Sequence, residues 1–494
     1  MLDRPDRLLR AILLLAAFAA TALGAPPNVV FLLADDLGWR DLGCYGSRFY
    51  ETPSLDSLAS SGARFTQAYA ACPVCSPTRA SIMTGKYPVR IRVTDYISPS
   101  GGNQPESWSR NTAMLPSPYS DRMPLEETTL AEAFKENGYA TFFAGKWHLG
   151  SEGHWPEDQG FDVNKGGWEH GGPWYGDKYF SPYGNPNLAD GPPGEFLPER
   201  LARETARFIA ANRDKPFLAF LSFYSVHTPL MTTAALEAKY EAKAKRLAFS
   251  GPRWIREGFR DARQVQDHAI YGGMVEALDS AVGTVLDALA ANGLERRTIV
   301  VFMSDNGGLS TSEGSPTANL PLRGGKGWMY EGGIREPMLI RAPGATRPGS
   351  VIDEPVTSTD FYPTLLELSG LRLRPDQHLD GESMAPLLRG EAARRSPLYW
   401  HYPHYGNQGG APSAAIRAGD WKLIRWYEDG ANELYNLEDD PGERYDLSAL
   451  LPEKAGALAE KLDNWLAEVD ANMPSRNPAY DAGKPSGRLP PDER

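Results

Sequence analysis

Four apolar runs, each followed closely by polar side chains, constrain the fold of this chain more than any other feature. The runs occupy residues 28–34, 139–143, 217–224 and 298–303, and helical patterns lie between them. Apolar runs of this length are typical of buried strands, and their alternation with helices predicts an α/β fold with a mostly parallel sheet. Because such sheets bind ligands beyond the carboxyl ends of their strands, the polar residues after these runs indicate a functional site.

The polar residues after the runs are of a restricted kind. They are Asp35 and Asp36 after the first run, Lys146 and His148 after the second, His227 after the third, and Asp305 and Asn306 after the fourth. A lone Asp at such a place is more often a turn former, but four strands that all end in such groups are better explained by one shared site. The three Asp and one Asn offer oxygen ligands, which suit a hard divalent cation, Ca²⁺ or Mg²⁺, rather than Zn²⁺.

Cys75 opens the sequence Cys-Ser-Pro-Thr-Arg, which ends at Arg79. If the turn after Pro77 is helical, the proline starts the helix, Arg79 returns to the side of residue 75, and the helix N-terminus favours anions. Cys72 and Cys75 also fit the spacing of a redox motif, but we expect no strand-to-helix start of the usual kind there. The chain has three cysteines, too few for a disulfide framework, and Cys44 and Cys72 either pair or stay as thiols.

The cysteine motif resembles the signature of the sulfatase family, Cys or Ser-x-Pro-x-Arg followed by Thr-Gly, here at residues 84–85. Three further motifs follow in the family's order: Gly-Lys-Trp-His ending at His148, His-Thr-Pro beginning at His227, and Asp-Asn-Gly beginning at Asp305. The resemblance extends over residues 28 to about 448. It implies a formylglycine, made from the cysteine by a formylglycine-generating or an anaerobic sulfatase-maturating enzyme, whose hydrated aldehyde is the nucleophile.

The resemblance also implies the roles of individual residues. Those expected to be catalytic are Cys75, Arg79, Lys146, His148, His227 and Lys326, and those expected to hold calcium, with magnesium as the alternative, are Asp35, Asp36, Cys75, Asp305 and Asn306. Both lysines are expected to contact sulfate, and Arg79 to hold the hydrated aldehyde. His148 is expected to be the base for sulfate release and His227 to lie near the leaving oxygen, because a histidine pKa near neutrality suits proton transfer.

The pattern of apolar and polar residues changes after about residue 390, and the change predicts a second, smaller structural unit. Residues 414–426 alternate through a Gly-Asp turn like a hairpin, and an amphipathic helix is expected over 454–469. The predicted divisions are a sulfatase α/β domain with a large mixed, mostly parallel sheet sandwiched by helices (residues 25–389), a C-terminal α+β subdomain with an antiparallel sheet and a helix (residues 390–474), and a polar, poorly ordered tail (residues 475–494).

Residues 1–24 are expected to be a secretory signal peptide. Arg4, Arg7 and Arg10 precede an apolar stretch that ends in small residues, and the stretch is too short to span a bilayer. We therefore expect an exported protein, periplasmic or extracellular, without a stable membrane anchor. The formal net charge of −12 disfavours a nucleic-acid partner.

Two aromatic segments are candidates for a sugar subsite. His170 and Trp174 lie in a Gly-, Trp- and Tyr-rich loop over 166–198, and His401 and His404 lie just before the predicted hairpin. Aromatic faces and imidazoles suit a hydroxylated ring, although ordinary packing between the two units explains the second segment equally well.

The reaction indicated is hydrolysis of a sulfate monoester, on a sulfated small molecule or saccharide. A sugar of a poly- or oligosaccharide is the substrate most favoured by the resemblance. The alternatives are a broad arylsulfatase, a phosphomonoester or phosphonate hydrolase of the same superfamily, and a non-catalytic carbohydrate-binding relative. Phosphate would require similar ligands, so the sequence separates these activities weakly.

Overall fold

The computed structural model describes residues 26–98 and 101–489. The expected signal peptide lies outside the described residues. Within the described part of the chain, no helix combines the length and the apolar character needed to cross a membrane.

Strands are distributed along the whole described chain. In chain order they are β1 (Asn28–Ala34), β2 (Ala63–Tyr69), β3 (Met114–Leu115), β4 (Ala140–Gly145), β5 (Val163–Lys165), β6 (Phe217–Ser222), β7 (Trp254–Glu257), β8 (Arg260–Arg263), β9 (Thr298–Ser304), β10 (Arg335–Arg341), β11 (Ser350–Ile352), β12 (Val356–Thr357), β13 (Leu398–Tyr402), β14 (Ser413–Ala418), β15 (Trp421–Trp426), β16 (Asn432–Asn436) and β17 (Ser475–Arg476).

The helices lie mostly between these strands. They are α1 (Pro53–Ser61), α2 (Cys75–Thr84), α3 (Leu130–Lys135), α4 (Leu197–Ala211), α5 (Ala234–Arg246), α6 (Ala269–Ala291), α7 (Glu331–Ile334), α8 (Phe361–Leu368), α9 (Ala385–Leu388) and α10 (Pro452–Glu468). Short 3-10 turns occupy Gly43–Tyr45, Pro105–Ser107, Pro156–Gln159, Glu295–Arg297 and Ser358–Asp360.

Among the described residues, a nine-stranded sheet forms the centre of the molecule in the order β11-β2-β10-β9-β1-β6-β4-β5, with β12 also paired to β2. Strand β1 is parallel to both β6 and β9, and β10 is antiparallel to its two neighbours. Alternate residues of β1 enter two different apolar clusters: Val30 packs with the residues of α6, while Phe31 lies 4.9 Å from Phe361 of α8. Burial on both faces explains the continuous apolar runs and confirms the predicted mixed, mostly parallel sheet between helices.

A second, antiparallel sheet, β13-β14-β15-β16, follows in the chain. Its β14–β15 pair is the predicted hairpin. Helix α10 packs on this sheet, where the ring of Trp465 stacks on that of Tyr399 in β13 at 4.7 Å between centroids. Residues 475–489 of the predicted polar tail contact other parts of the chain, since β17 pairs with β3 and Asn111 donates to the carbonyl of Asp481 at 2.9 Å.

Helix α2 begins earlier than the sequence predicts. Its first residue is Cys75, after an extended Val74, so Pro77 is the third residue rather than the first. The chain also runs from strand β2 through a short turn into this helix, so the expectation that Cys75 lacks a strand-to-helix start is wrong as well. In the described structure Cys44, Cys72 and Cys75 are all free, so Cys44 and Cys72 do not pair.

Candidate active site at the carboxyl edge of the central sheet

Neighbouring strands bring the predicted oxygen ligands together. Strands β1 and β9 are parallel, with Ala34 level with Ser304, so Asp35 and Asp36 leave the sheet beside Asp305 and Asn306. All four polar residues are fully buried. Hydrogen bonds connect them: the Asp36 amide donates to Asp305 Oδ1 at 3.2 Å, and Asn306 Nδ2 donates to Asp36 Oδ1 at 2.7 Å.

The four residues fit a hard cation. Asp35 Oδ1 and Asn306 Oδ1 are buried oxygens to which no hydrogen-bond donor within the described residues points. Ligand atoms of Asp35, Asp36 and His227 lie within 4.8 Å of one another. A buried acceptor without a donor is costly, and several of them around concentrated negative charge are what a divalent cation with oxygen ligands satisfies.

The two aspartates after β1 differ in their surroundings. Burial raises the pKa of Asp35 well above its ordinary value, although Lys146 opposes the shift. Burial acts in the same direction on Asp36, but there the charges of Lys326 and His227 prevail and hold the pKa below its ordinary value.

Helix α2 carries Cys75 in its first turn and Arg79 one turn later on the same side. Nε and Nη2 of Arg79 both contact Asp305 Oδ2, at 2.9 and 2.7 Å. Nη1 donates to the carbonyl of Lys146 at 2.8 Å and to Ser222 Oγ at 2.6 Å. Arg79 therefore connects the cysteine helix to the ends of three strands. Burial raises the pKa of the Cys75 thiol, against the charges of Lys146 and Lys326.

The two predicted lysines approach the carboxylates from different sides. Lys146 Nζ is 2.8 Å from Asp35 Oδ2, and Lys326 Nζ is 2.8 Å from Asp36 Oδ2. Lys146 is completely buried, whereas Lys326 lines the adjacent pocket. Both lysines are thus within the site, and each balances one aspartate.

His148 faces Cys75. Its Nδ1 lies 3.4 Å from Cys75 Sγ, and its Nε2 lies 2.6 Å from the carbonyl of Ile97. Because that carbonyl accepts only from a protonated nitrogen, Nε2 carries the hydrogen and Nδ1 presents a lone pair toward residue 75. Burial, together with Lys146, lowers the pKa of His148 well below its ordinary value. Gly171 packs on this ring so closely that a Cβ there would lie 2.5 Å from it.

His227 follows β6 and directs Nε2 toward the site, whereas His148 directs Nδ1 toward it. Nδ1 lies 2.8 Å from the carbonyl of Thr228 and therefore carries the hydrogen, so Nε2 points inward, 3.7 Å from Asp36 Oδ2. Burial first, and then the charge of Lys326, lower the pKa of His227 to about 4.

A pocket of about 340 Å³ opens onto these groups. Its walls are formed by Val74, Cys75, Tyr96, Ile97, Ser98, His148, Gly171, Trp174, His227, Glu313, Lys326, Asn407 and Gln408. Trp174, predicted as a substrate contact, lies at the mouth with its ring 5.5 Å from that of His227 and with 49% of its surface exposed.

Three of the four predicted substrate-binding residues do not line this pocket. His170 instead packs between Trp168, at 4.1 Å, and Tyr175, at 4.4 Å. His401 is buried and contacts the Tyr427 hydroxyl and the Asn472 carbonyl. His404 is buried against Thr94, with Nε2 2.9 Å from the hydroxyl. These three side chains therefore do not line the pocket; His401 and His404 are buried in packing, His170 is partly exposed beside Trp168 and Tyr175, and a sugar contact through them stays a prediction.

Sequence reasoning missed several residues of the pocket wall, among them Tyr96, Glu313, Asn407 and Gln408. They lie on loops far apart in the chain, and no spacing or motif distinguishes them from ordinary surface residues. The one available signal was the length of the loop that contains Tyr96, since long loops without regular structure are often functional.

Comparison with known proteins agrees with this geometry. Residues 27–371 match the family model described as Sulfatase, and residues 325–472 match the model of the N-sulphoglucosamine sulphohydrolase C-terminal region. A protein named Sulfatase from Formosa agariphila is 33% identical, over 90% of this chain and 89% of its own length. Arylsulfatase A of Homo sapiens is 33% identical over 93% and 91%. The crystal structure of Ps i-CgsB, 31% identical, superposes with a TM-score of 0.72 over 89% of this chain and 92% of the other.

The fold and these relatives define an enzyme of the sulfuric ester hydrolase class. Within that class the chain belongs to the sulfatase family, as a type I sulfatase. Enzymes of this family generally use a formylglycine and a divalent cation.

Proposed function

We propose that this sulfatase removes sulfate from a sulfated sugar. The nucleophile is a formylglycine made from Cys75, and the divalent cation beside it is calcium, with magnesium as the alternative. The observation that supports the proposal most is the position of Cys75. It begins a helix and faces His148 Nδ1 at 3.4 Å, within the same buried site as Asp35, Asp36, Asp305 and Asn306.

The sugar is supported by the shape and chemistry of the pocket. A half-exposed Trp174 stands at its mouth, and the side-chain amides of Asn407 and Gln408 form part of its wall. An aromatic face with polar groups around it suits a hydroxylated ring. Ps i-CgsB, 30% identical, has been solved in complex with k-i-k-neocarrahexaose, so one relative of this fold takes a saccharide.

The two groups would supply distinct chemistry. A formylglycine at position 75, hydrated by one water, would provide two hydroxyl groups on one carbon, one to attack sulfur and one whose deprotonation lets sulfate leave and restores the aldehyde. A cation held by the oxygens of Asp35, Asp36, Asp305 and Asn306 would polarise the sulfate oxygens.

The side chains of the protein perform the remaining tasks. Lys326 lines the pocket and binds the anionic sulfate, and Arg79 fixes the helix that carries residue 75. Lys146 is placed behind Asp35 and adds positive charge to the sulfate site. His148 accepts a proton at Nδ1, the nitrogen that faces residue 75. His227 relays a proton through Nε2, the nitrogen that its Thr228 contact leaves free: the proton comes from the attacking hydroxyl and goes to the departing alcohol.

Formylglycine is tested by producing the protein with and without a formylglycine-generating enzyme. We expect the peptide that contains residue 75 to lose about 18 mass units on conversion, and activity on nitrophenyl sulfate to rise with the converted fraction. Cys75→Ala is the control and should have no sulfatase activity. Full activity of unconverted protein would contradict the proposal.

The substrate is tested by a screen of defined sulfated mono- and disaccharides, together with nitrophenyl sulfate and nitrophenyl phosphate. Turnover of a sulfated sugar supports the proposal. Turnover of the aryl sulfate alone would identify a broad arylsulfatase, and robust phosphate turnover with negligible sulfate turnover would identify a phosphoester hydrolase.

The cation is tested without turnover, on unconverted protein. After treatment with a chelator, we expect the melting temperature to fall, and to rise again with added Ca²⁺ in a concentration-dependent way, because a ligand that binds only the folded state stabilises it. Asn306→Ala should weaken the response, and a melting temperature indifferent to chelator and Ca²⁺ would argue against the site.

We also propose that the chain is exported after removal of residues 1–24, and that residues 25–389 and 390–474 are its two structural units. Sequencing the N-terminus of the protein secreted by its host is the direct test. A mature chain that still begins at Met1 would contradict the proposed export signal.

A further inference from the structure

We propose that Glu313 determines substrate specificity: it selects alcohols that carry hydroxyl groups next to the sulfate ester and rejects those that carry a second anionic group there. The proposal rests on the proposed function, since a sulfated sugar is the molecule taken to enter the pocket. Glu313 belongs to none of the motifs by which the family is recognised, and it lies outside the metal and nucleophile cluster.

Glu313 stands in the wall of the same pocket as the reacting groups. It is half-buried and shares the pocket with Cys75, His227 and Lys326. Its backbone lies in the left-handed region, with φ 53°. A non-glycine residue in that region is uncommon and is maintained where the surrounding structure requires it.

The side chain of Glu313 is held firmly at one of its two oxygens. Oε1 accepts from Gln408 Nε2 at 2.8 Å and from Asn407 Nδ2 at 3.1 Å. Among the described residues, Oε2 has one long contact, with the hydroxyl of Thr228 at 3.4 Å. A carboxylate oxygen accepts about two hydrogen bonds, so Oε2 retains capacity for a hydroxyl of the substrate, and the two amides orient it.

Charge in the pocket wall is unevenly distributed. Among the described residues that form the wall, Lys326 is the one Lys or Arg, and its ammonium group is paired with Asp36 at 2.8 Å. The remaining formal charge in that wall, apart from the histidines, is the carboxylate of Glu313.

Within the described wall, a second sulfate or a carboxylate on the alcohol would therefore face the carboxylate of Glu313, and the one lysine there is already paired with Asp36. Like charges close together at a partly desolvated site repel, and such juxtaposition suppresses the wrong ligand. A hydroxyl, by contrast, gains a charge-assisted hydrogen bond from the same oxygen. A single side chain thus favours one substrate class and disfavours the other.

Trp174 and Glu313 complement each other. The indole ring lies at the pocket mouth beside His227, where it can cover the apolar face of a ring, while Glu313 accepts from hydroxyls at the ring edge. The substrate class that fits is a sugar with one sulfate on the reacting ring and free hydroxyls beside it.

The charge on Glu313 is tested with Glu313→Gln, which has nearly the same shape and keeps a carbonyl oxygen for Gln408 and Asn407. Two substrate pairs are compared: a monosaccharide with one or two sulfates, with the reacting ester at the same position, and an aryl sulfate that carries either a hydroxyl or a carboxylate beside the ester. Glu152→Gln, on an exposed side chain, is the matched control. All three proteins are used in the converted form.

We expect the wild type to prefer the singly charged member of each pair by about tenfold or more in kcat/KM, and Glu313→Gln to reduce that preference by about tenfold. Activity on unsubstituted nitrophenyl sulfate, which offers neither group, is measured for all three proteins as the reference against which each preference is expressed. The control should match the wild type throughout. An unchanged preference in Glu313→Gln, or an equal loss on every substrate, would overturn the proposal.

The two substrate pairs separate the two possible failures. If no sulfated sugar is turned over but the aryl pair responds to Glu313→Gln as expected, the proposed sugar substrate is wrong and the role of Glu313 stands. If sugars are turned over and neither pair responds, the sugar substrate stands and the role of Glu313 is wrong.

Discussion

Among single residues, Arg79 connects more of the site than any other side chain described above. Its guanidinium binds the Asp305 carboxylate through two nitrogens and the Lys146 carbonyl and Ser222 hydroxyl through the third. A planar, five-donor group makes this set of contacts in one plane, and a lysine ammonium does not. The motif spacing placed Arg79 beside residue 75, but its partners come from strands β4, β6 and β9.

Arg79→Lys should therefore keep the positive charge and lose most of the hydrogen bonds to Asp305, the Lys146 carbonyl and Ser222. We expect sulfatase activity to fall about a hundredfold or more, because small displacements of reacting groups have effects of that size. We also expect the free energy of unfolding to fall by about 2 kcal/mol, from a buried pair left incomplete. Arg90→Lys, at a partly exposed pair with Asp380, is the control for both kinetics and chemical denaturation, and equal effects in the two variants would contradict the prediction.

Asp95 provides a residue-scale test by pH. It is fully buried, accepts from Tyr96 N, Asn103 Nδ2 and the Tyr402 hydroxyl, and burial raises its pKa to about 7. Because the folded-state pKa exceeds the unfolded one, the carboxyl binds its proton more tightly when folded. Its contribution to stability is present at low pH and is lost as pH rises toward 7.

Asp95→Asn removes this titration. The free energy of unfolding of the wild type, relative to the variant, should therefore decrease between about pH 4 and pH 7 and become constant above. Urea denaturation at a series of pH values measures the difference. If the free energy of unfolding of the wild type, relative to the variant, instead increased over this interval, the pKa of Asp95 would be lowered in the folded state and the prediction would be wrong.

At the scale of elements, helix α2 is the one on which the site depends most directly. The sequence predicts its presence, because Pro77 favours a helix start, but the start lies at Cys75. Proline is compatible with the whole first turn, where its missing N–H has no partner in any case. Val74, which precedes the helix, is extended. Because proline is tolerated at each position of the first turn, the pattern alone does not locate the first residue.

Gly85 ends this helix with φ 69°, and its N–H bonds to the Ser81 carbonyl. A Cβ there would lie 2.5 Å from His378 Cβ and 2.9 Å from its Cα. Gly85→Ala should therefore combine backbone strain with overpacking and lower the free energy of unfolding by about 2 to 4 kcal/mol. It should also reduce activity, because the helix carries Cys75.

The matched control is Gly138→Ala, after α3. Gly138 has φ 80°, and nothing lies within 4 Å of its added Cβ. Backbone strain alone should destabilise this variant by about 1 kcal/mol and leave kcat unchanged. If thermal denaturation shows equal losses for the two variants, the contact with His378 contributes nothing.

On the scale of the whole molecule, the C-terminal sheet is joined to the central sheet by a buried ionic cluster. Lys422 Nζ of β15 lies 3.0 Å from Glu331 Oε1 and 2.8 Å from Glu443 Oε1, and all three side chains are inaccessible. Glu331 begins α7, and Gly333 in that helix accepts from the Gly307 amide just after the site residue Asn306. The cluster thus supports the loop behind the oxygen ligands.

Lys422→Met should remove the cation shared by the two buried carboxylates, with only Glu331 keeping a second one in Arg335 at 3.5 Å, and lower the free energy of unfolding by about 3 to 5 kcal/mol. In the wild type, burial raises the pKa of Glu443 to about 7 against the charge of Lys422, whereas the pKa of Glu331 lies below its ordinary value because the neighbouring cations, Lys422 first, outweigh burial. Without Lys422 both pKa values rise, so the loss should grow with pH, through Glu331 already in the acid range and through Glu443 above about pH 7. Denaturation at pH 5 and pH 8 measures both effects. Lys461→Met, on the exposed face of α10, should change stability by less than about 0.5 kcal/mol, and similar losses in the two variants would contradict the role of the cluster.

The aromatic segment before the C-terminal hairpin shows where sequence reasoning ends. The pattern of His and Tyr at 400–405 fits a sugar subsite and a packed interface equally well, and the structure assigns His401 and His404 to packing. Glu313 shows the opposite case, since nothing in its neighbourhood in the chain distinguishes it. A side chain's direction depends on what packs against it from distant segments.

The sequence alone determined which polar residues follow the apolar runs, namely Asp, Lys and His, and it contained the cysteine motif. These two features predicted the sulfatase class and the mostly parallel sheet. These features are local, since they depend on residue type and short spacing. Only the tertiary structure decided which oxygens lack a donor, which nitrogens of His148 and His227 face the site, and which side chains line the pocket. Those properties depend on the three-dimensional arrangement of contacts, most of them between segments distant in the chain, and hydrogen bonds at buried positions are stronger than in water.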